Sequence, residues 1–233
     1  MNIPYTSCDA STSAITFNKR YTCAIAGASG FNVARSVIIF KDSYSAETSQ
    51  VESLTFPVFV KPNNGGSSIG ISKVNKVEDL EIAIKKAFNE DNQVLIEEFI
   101  KGREFTIGVF RSAQKIITLP FTEIIADNEF FDYEAKYLGK STEITPAKCD
   151  KSTAVAVEQA ATGIYALFNC SGIVRIDFIF NELENKPYLL EINTVPGQSA
   201  ASIVPQQVAA AGIDLKSFYT MLIEDALSHK KNK

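Results

Sequence analysis

Near the C-terminal end of the sequence, two carboxylates, an amide and a guanidinium recur at strand-like spacing: Arg175 and Asp177, then Glu191 and Asn193. The surrounding runs, 173–180 and 188–193, are rich in β-branched and aromatic residues, and the polar stretch 181–187 between them predicts a β-hairpin. Side chains alternate across a strand, so Arg175 shares a face with Asp177, and Glu191 with Asn193. Where those faces coincide they offer the hard oxygen ligands that Mg²⁺ takes, one or two carboxylates completed by substrate phosphates. A guanidinium beside them grips carboxylate or phosphate oxygens as a fork. The residues alone leave a second reading open, an ordinary solvent-facing strand pair.

A second group lies earlier. Residues 56–61 read as a strand ending in Lys61, and the loop 62–70 (Pro-Asn-Asn-Gly-Gly-Ser-Ser-Ile-Gly) leads into a strand at 71–74. Glycines and serines at such a tip present free N–H groups and hydroxyls suited to phosphate oxygens. A ligand-free flexible hairpin is the alternative. Residues 93–100 form a further strand, and Lys101-Gly102 after it predicts a hinge between two lobes. Runs 104–110 and 115–121 predict a second hairpin.

The remaining elements must position these groups. Residues 1–16 read as irregular, and 17–30 as a helix with Lys19 in its first turns. Asn75 and Glu78 have capping-box spacing for a helix whose buried stripe is Val77, Leu80, Ala83, Ile84, Ala87 and Phe88. Residues 126–150 are polar and aromatic, long enough for a lid. A helix over 151–168 carries Val155, Ile164, Leu167 and Phe168 on its apolar side. Another around 203–211 is closed by Gly212. Asp214 caps a last helix burying Leu215, Phe218, Leu222 and Ala226.

Composition narrows the classes. The 233 residues are 45% hydrophobic and 21% charged, which suits one or two globular domains. A net charge of −4, with basic residues bunched only at 230–233, argues against a nucleic-acid surface. No apolar run is long enough to span a membrane. Four scattered cysteines without CxxC spacing fit reduced thiols in the cytoplasm. The single histidine, His229, argues against a histidine base or a His-rich metal site. There is no HExxH, GxSxG or GxxxxGK[ST], so phosphate chemistry needs a different loop.

With these pieces in order, the chain resembles the D-alanine–D-alanine ligases of the ATP-grasp superfamily. The resemblance rests on Ile3-Pro-Tyr-Thr6, Val60-Lys-Pro62 with Gly66-Ser-Ser-Ile-Gly70, Leu95-Ile-Glu97, Glu104-Phe-Thr106, Asp132-Tyr-Glu-Ala-Lys-Tyr137, Arg175-Ile-Asp177 and Glu191-Ile-Asn-Thr-Val-Pro-Gly197. It implies an α+β fold of two lobes sandwiching ATP, here 17–101 and 102–233, with 1–16 as a linker left from a preceding domain. It implies Asp177, Glu191 and Asn193 as ligands of Mg²⁺, with Mn²⁺ as a substitute. Lys19, Lys61, Ser67 and Ser68 would meet the phosphates, Glu97, Phe99 and Ile100 the adenine, and Glu104 the ribose. Lys136 would close over the nucleotide and, with Ser202 and Ile203, over the second substrate. Arg175 and the Gly197 N–H would hold the oxyanion, and Ser67 and Tyr137 would assist the first substrate.

The reaction so implied joins two D-alanines through an acyl phosphate for peptidoglycan precursors, in a cytoplasmic enzyme with no nucleic-acid or membrane partner and commonly a homodimer. The chain departs from the family in lacking the N-terminal domain of about 80–100 residues, an ordinary domain size, that supplies an acid for the first substrate's ammonium. Binding of Mg-ATP with weak turnover is therefore the expectation for this chain alone. A nucleotide-binding pseudoenzyme and a carboxylate–amine ligase with another substrate are the alternatives.

Overall fold

A computed structural model describes residues 3–44, 48–126 and 141–230. Its frame is two sheets. The smaller, in the order β2-β5-β3-β4, contains β2 (Ser36–Phe40), β3 (Val58–Pro62), β4 (Ser72–Val74) and β5 (Gln93–Glu98). Alternation sorts its side chains. Val58, Val60, Val94 and Ile96 are buried against helix α3 (Leu80–Ala87), leaving Phe59, Lys61, Leu95 and Glu97 on the other face.

The larger sheet runs β1-β11-β10-β6-β8-β9, with β7 also paired to β6. Its strands are β1 (Asn32–Val33), β6 (Arg103–Ser112), β7 (Lys115–Thr118), β8 (Thr122–Ala126), β9 (Ser141–Ile144), β10 (Val174–Asn181) and β11 (Lys186–Asn193). One face, with Phe105, Ile107, Val109, Ile176, Phe178 and Ile192, is buried together with helix α4 (Lys151–Leu167). Part of the opposite face is covered where Phe110 and Ile173 pack with α5 (Ile203–Ala210) and α6 (Leu215–Lys230). The rest of that face stays open. Among the described residues no helix is long and apolar enough to cross a membrane.

Several local expectations are corrected. The stretch expected to be irregular contains α1 (Ala10–Phe17), capped by Asp9, whose carboxylate accepts the Thr12 N–H at 2.7 Å. The Thr12 hydroxyl donates to the Phe168 carbonyl at 3.0 Å, fastening α1 to the end of α4. The helix expected from residue 17 is α2 (Lys19–Ala28), separated from α1 by the extended Asn18. β1 pairs with β11 of the larger sheet and α2 packs against both strands, although α2 and β1 fall within the expected first lobe. Asn75 caps nothing: a 3₁₀ turn, Val77–Asp79, precedes α3, whose N-cap is Asp79. That offset turns Val77 outward, and Val155 and Leu215 are exposed as well. Within the expected lid, residues 141–144 are strand β9, paired with β8. Lys101 and Gly102 do lie where the chain passes from β5 of the smaller sheet to β6 of the larger. Gly102 also permits a close approach, since a Cβ there would lie 2.1 Å from the Phe180 carbonyl oxygen.

Candidate active site

The faces of the C-terminal hairpin do coincide. In the β10–β11 register Asp177 lies opposite Glu191, and Arg175 opposite Asn193. A bulge follows at Asp177/Phe178, so that Leu189, across from Phe178, returns to the buried face while Glu191 keeps to the open one. The Arg175 guanidinium donates to both Asp177 oxygens at 2.9 Å, and the Asn193 amide N–H donates to Asp177 at 3.1 Å and to Glu191 at 3.2 Å. From β6 the Thr106 hydroxyl adds a bond to Asp177. Burial by itself lowers the pKa of the Arg175 guanidinium, but Asp177, then Glu191 and Glu104, outweigh it and raise the pKa.

Across the cleft, Lys61 on β3 forms a buried ion pair with Glu97 on β5. Burial pulls its ammonium pKa down, yet the charge and hydrogen bond of Glu97, with smaller help from Cys23 and Glu191, leave it raised. Cys23 on α2 feels the same carboxylate. Burial first, then Glu97, pushes its thiol up to about 11. Lys19 stands at the first position of α2, where Asn18 accepts the Tyr21 N–H at 3.0 Å. The buried Asn63, just past β3, accepts the Arg20 N–H at 2.9 Å, and its own carbonyl accepts the Lys19 N–H at 3.2 Å. Lys19 is thereby set beside the glycine-serine loop, and its ammonium donates to the Gly65 carbonyl at 2.9 Å. In that loop Ser67 and Ser68 both adopt left-handed backbone, φ 56° and 57°, which is uncommon for non-glycine residues and gathers at ligand clamps.

Two cavities open between the sheets. The first, about 410 Å³, is lined by Phe59, Phe99, Ile100 and Ile179 with Lys19, Lys61, Ser68, Glu97 and Glu104, and reaches Asp177 and Glu191. The second, about 460 Å³, is bounded by Lys19, Ser67, Glu104, Arg175, Asp177, Glu191, Asn193, Gly197, Ser202 and Ile203. Together they hold every candidate named from the sequence except Lys136 and Tyr137, which lie outside the described residues. The first cavity is the more apolar in its side chains, and suits a flat ring. The second brings cations, carboxylates and loop backbone together, and suits phosphates and small zwitterions.

Thr106 was not singled out from the sequence, although it follows Glu104 by two residues and so shares its face. Arg103 and Glu123 were also missed. Arg103 donates to both Glu123 oxygens at 2.7 and 2.8 Å and to the Lys148 carbonyl at 2.6 Å, and both side chains line the first cavity. A divalent ion fits the donor set. No cluster of three or more His, Cys, Asp or Glu side chains occurs among the described residues, but two carboxylates and an amide are what Mg²⁺ uses when phosphates complete its shell. The Asn193 amide need only turn over to present its oxygen in place of its N–H.

Comparisons with known proteins identify the family. Residues 25–224 match the family model described as D-ala D-ala ligase C-terminus. The D-alanine–D-alanine ligase of Phocaeicola vulgatus is 46% identical over 226 residues, which cover 97% of this chain and 69% of that protein. That of Parabacteroides distasonis is 41% identical over 233 residues, 100% of this chain and 70% of the relative. Among solved structures, the VanG D-Ala:D-Ser ligase of Enterococcus faecalis superposes with TM-score 0.88 at 32% identity, over 96% of this chain and 65% of its own. The Bacillus anthracis D-alanine–D-alanine ligase complexed with ATP gives TM-score 0.81 at 28% identity, over 99% and 72%. The chain therefore spans about two thirds of the length of its relatives. It belongs to the D-alanine–D-alanine ligase family and has that family's ATP-grasp fold.

Proposed function

We propose that this chain carries the nucleotide-binding and bond-forming part of a cytoplasmic D-alanine–D-alanine ligase. The observation that carries the reading is the facing of Asp177 and Glu191, on one rigid sheet, toward Lys61 and Lys19 across a cleft that ends at Ser202. Adenine enters the first cavity, between Phe99, Ile100 and Ile179, and Glu104 meets the ribose. The phosphates reach Lys61, Lys19 and the loop at Ser67 and Ser68. Asp177, Glu191 and Asn193 would hold Mg²⁺, which when bound would neutralise charge at the phosphates. A carboxylate oxygen of the first D-alanine takes the γ-phosphoryl group and ADP leaves. The amine of a second D-alanine then attacks the acyl carbon, and phosphate leaves. Arg175 and the Gly197 N–H stabilise the tetrahedral oxyanion, while Ser202 and Lys136 hold the second carboxylate. Catalysis of this kind is mostly positioning and electrostatics.

Binding of Mg-ATP requires only groups present here. Turnover also requires a grip on the first substrate's ammonium, for which the family uses its N-terminal domain. We therefore expect residues 1–233, assayed by themselves, to bind Mg-ATP, and their phosphate release with D-alanine to rise when an N-terminal domain from a relative is supplied. Calorimetry with Mg-ATP, followed by phosphate release with and without the added domain, tests both statements. Absence of Mg-ATP binding by the folded chain sinks the reading. Binding with no release even after the domain is supplied favours a pseudoenzyme. Brisk release with D-serine in place of the second D-alanine moves the acceptor toward that of the VanG relative.

A further inference from the structure

Along the edge of β6 the ladder is interrupted. β7 leaves it with Thr118 opposite Val109, and β8 joins with Thr122 opposite Thr106. Between them the Gly108 N–H and the Thr106 carbonyl meet a side chain, Gln207 of α5, which is completely buried. Its Oε1 accepts the Gly108 N–H at 2.8 Å, and its Nε2 donates to the Thr106 carbonyl at 2.8 Å and to the Thr122 hydroxyl oxygen at 3.0 Å. A primary amide carries acceptor and donor side by side, so Gln207 does for β6 what one residue of a neighbouring strand does. Gly108 leaves the room for it. A Cβ at that position would lie 2.9 Å from Gln207 Oε1 and 2.8 Å from Leu119 Cδ1.

The two backbone groups that Gln207 holds have a further significance. Thr106 and Gly108 are the register partners of Asp177 and Arg175, and the Thr106 side chain bonds Asp177 directly. At its other end Gln207 sits four residues, about one helical turn, after Ile203, and Ser202 and Ile203 both line the second cavity. One buried amide thus ties the strand behind the carboxylate pair to the helix that starts at the far wall of the cleft.

We propose that Gln207 is a positioning residue, fixing the distance between the Asp177 side of the site and the wall formed by Ser202 and Ile203. This rests on the site reading given above. A buried polar side chain that merely satisfies its own hydrogen bonds predicts a different result, a loss of stability with no selective effect at the cleft.

The test uses the whole chain, Mn²⁺ as the probe and a non-hydrolysable ATP analogue, with bound Mn²⁺ followed by electron paramagnetic resonance. Gln207→Met keeps the volume and removes the amide. Thr122→Val is milder and removes one acceptor that orients the amide. The expected outcome is that Gln207→Met weakens Mn²⁺ binding beside the nucleotide by about tenfold, the low end for residues that orient metal ligands, while affinity for the analogue without divalent ion changes by less than about twofold. Thr122→Val should move the same affinity in the same direction, by less. Melting curves accompany each variant. Lower melting temperatures with unchanged Mn²⁺ affinity overturn the proposal, as do equal losses with and without the ion. Should Gln207→Met fail to fold, Thr122→Val decides by the same criterion. If the parent chain binds no Mn²⁺-nucleotide, the reading of the site fails first and this inference falls with it.

Discussion

Two cation–carboxylate pairs face each other across the cleft, and they are built differently. Lys61 and Glu97 meet end to end, a point charge on a flexible stem against one carboxylate oxygen. Arg175 and Asp177 meet as a fork, with both carboxylate oxygens engaged, and Thr106 and Asn193 add further bonds to the same carboxylate. The first arrangement lets an ammonium turn toward an arriving phosphate. The second fixes a carboxylate in place before any ligand arrives. A lysine on the phosphate side and an arginine on the metal side are thus not interchangeable here.

The largest expected effect falls on the fork. Arg175→Met strips the buried Asp177 of its counter-charge, and breaking a buried pair from one side costs about 3–5 kcal/mol. Urea denaturation of the variant should show a loss of that size. A loss below about 1 kcal/mol, the range of an exposed pair, would mean that Asp177 is hydrated enough to stand alone and that the two pairs do not differ. Next comes Lys61→Ala. The Glu97 side chain is 8% exposed, as buried as Asp177, so this variant should lose stability as well, and the effect on the ligand is read as binding by the folded protein. Loss of a charge-assisted phosphate contact costs about 1.5–3 kcal/mol, roughly ten- to a hundredfold in Mg-ATP affinity. Calorimetry reads this directly, and an unchanged affinity would take Lys61 away from the phosphates.

Glu191→Gln sharpens the comparison from the metal side. The Glu191 side chain is 32% exposed, whereas that of Asp177 is 9% exposed. The substitution should therefore change stability by less than about 0.5 kcal/mol. Nucleotide affinity should lose its dependence on the divalent ion. Thermal melts beside Mg-ATP titrations of that one variant separate the two effects, and an unaltered Mg²⁺ dependence would return Glu191 to the role of a solvated strand residue.

What the sequence made legible follows from how local each signal is. The alternation at Arg175, Asp177, Glu191 and Asn193 is a property of two short strands joined by a turn, and it survives in the register. Helix α1 was hidden because Ser and Thr are poor interior helix formers. Its stability comes from the Asp9 cap and from Thr12 bonding a carbonyl 156 residues away. The capping box at Asn75 and Glu78 had the right letters, but a 3₁₀ turn intervened, and the N-cap position fell to Asp79, whose side chain makes no capping bond. Gln207 was beyond reach for the same reason as Thr12. Its partners are backbone groups 99 and 101 residues away, and nothing in the local pattern distinguishes it from the half-exposed Gln206 beside it. Of the cleft's own residues, Thr106 is the one whose face was already readable from Glu104.

The smallest expected effect contrasts the buried Asp177 with an exposed carboxylate. Asp150 caps α4, accepting from the Ser152 hydroxyl at 2.6 Å, the Thr153 N–H at 2.8 Å and the Thr153 hydroxyl at 3.0 Å. Those bonds, the Ser152 hydroxyl first, hold its carboxyl down at about 2. An unfolded aspartate titrates near about 3.9, so folding favours the charged form and the cap's charge contributes fully above that value. The contribution fades as pH falls through the folded value of about 2. Asp150→Ala should therefore melt below the parent chain by a constant margin at neutral and mildly acidic pH. The margin should shrink between about pH 4 and pH 2. Other carboxylates titrate in the same window, but they are common to both proteins and largely cancel in the difference. Asp150→Ser keeps a capping oxygen without the charge, and its smaller margin should hardly depend on pH. A margin for Asp150→Ala that is as wide at the acid end as at neutrality would show that the cap acts through geometry alone, and would leave charge as a property of the cleft rather than of the scaffold.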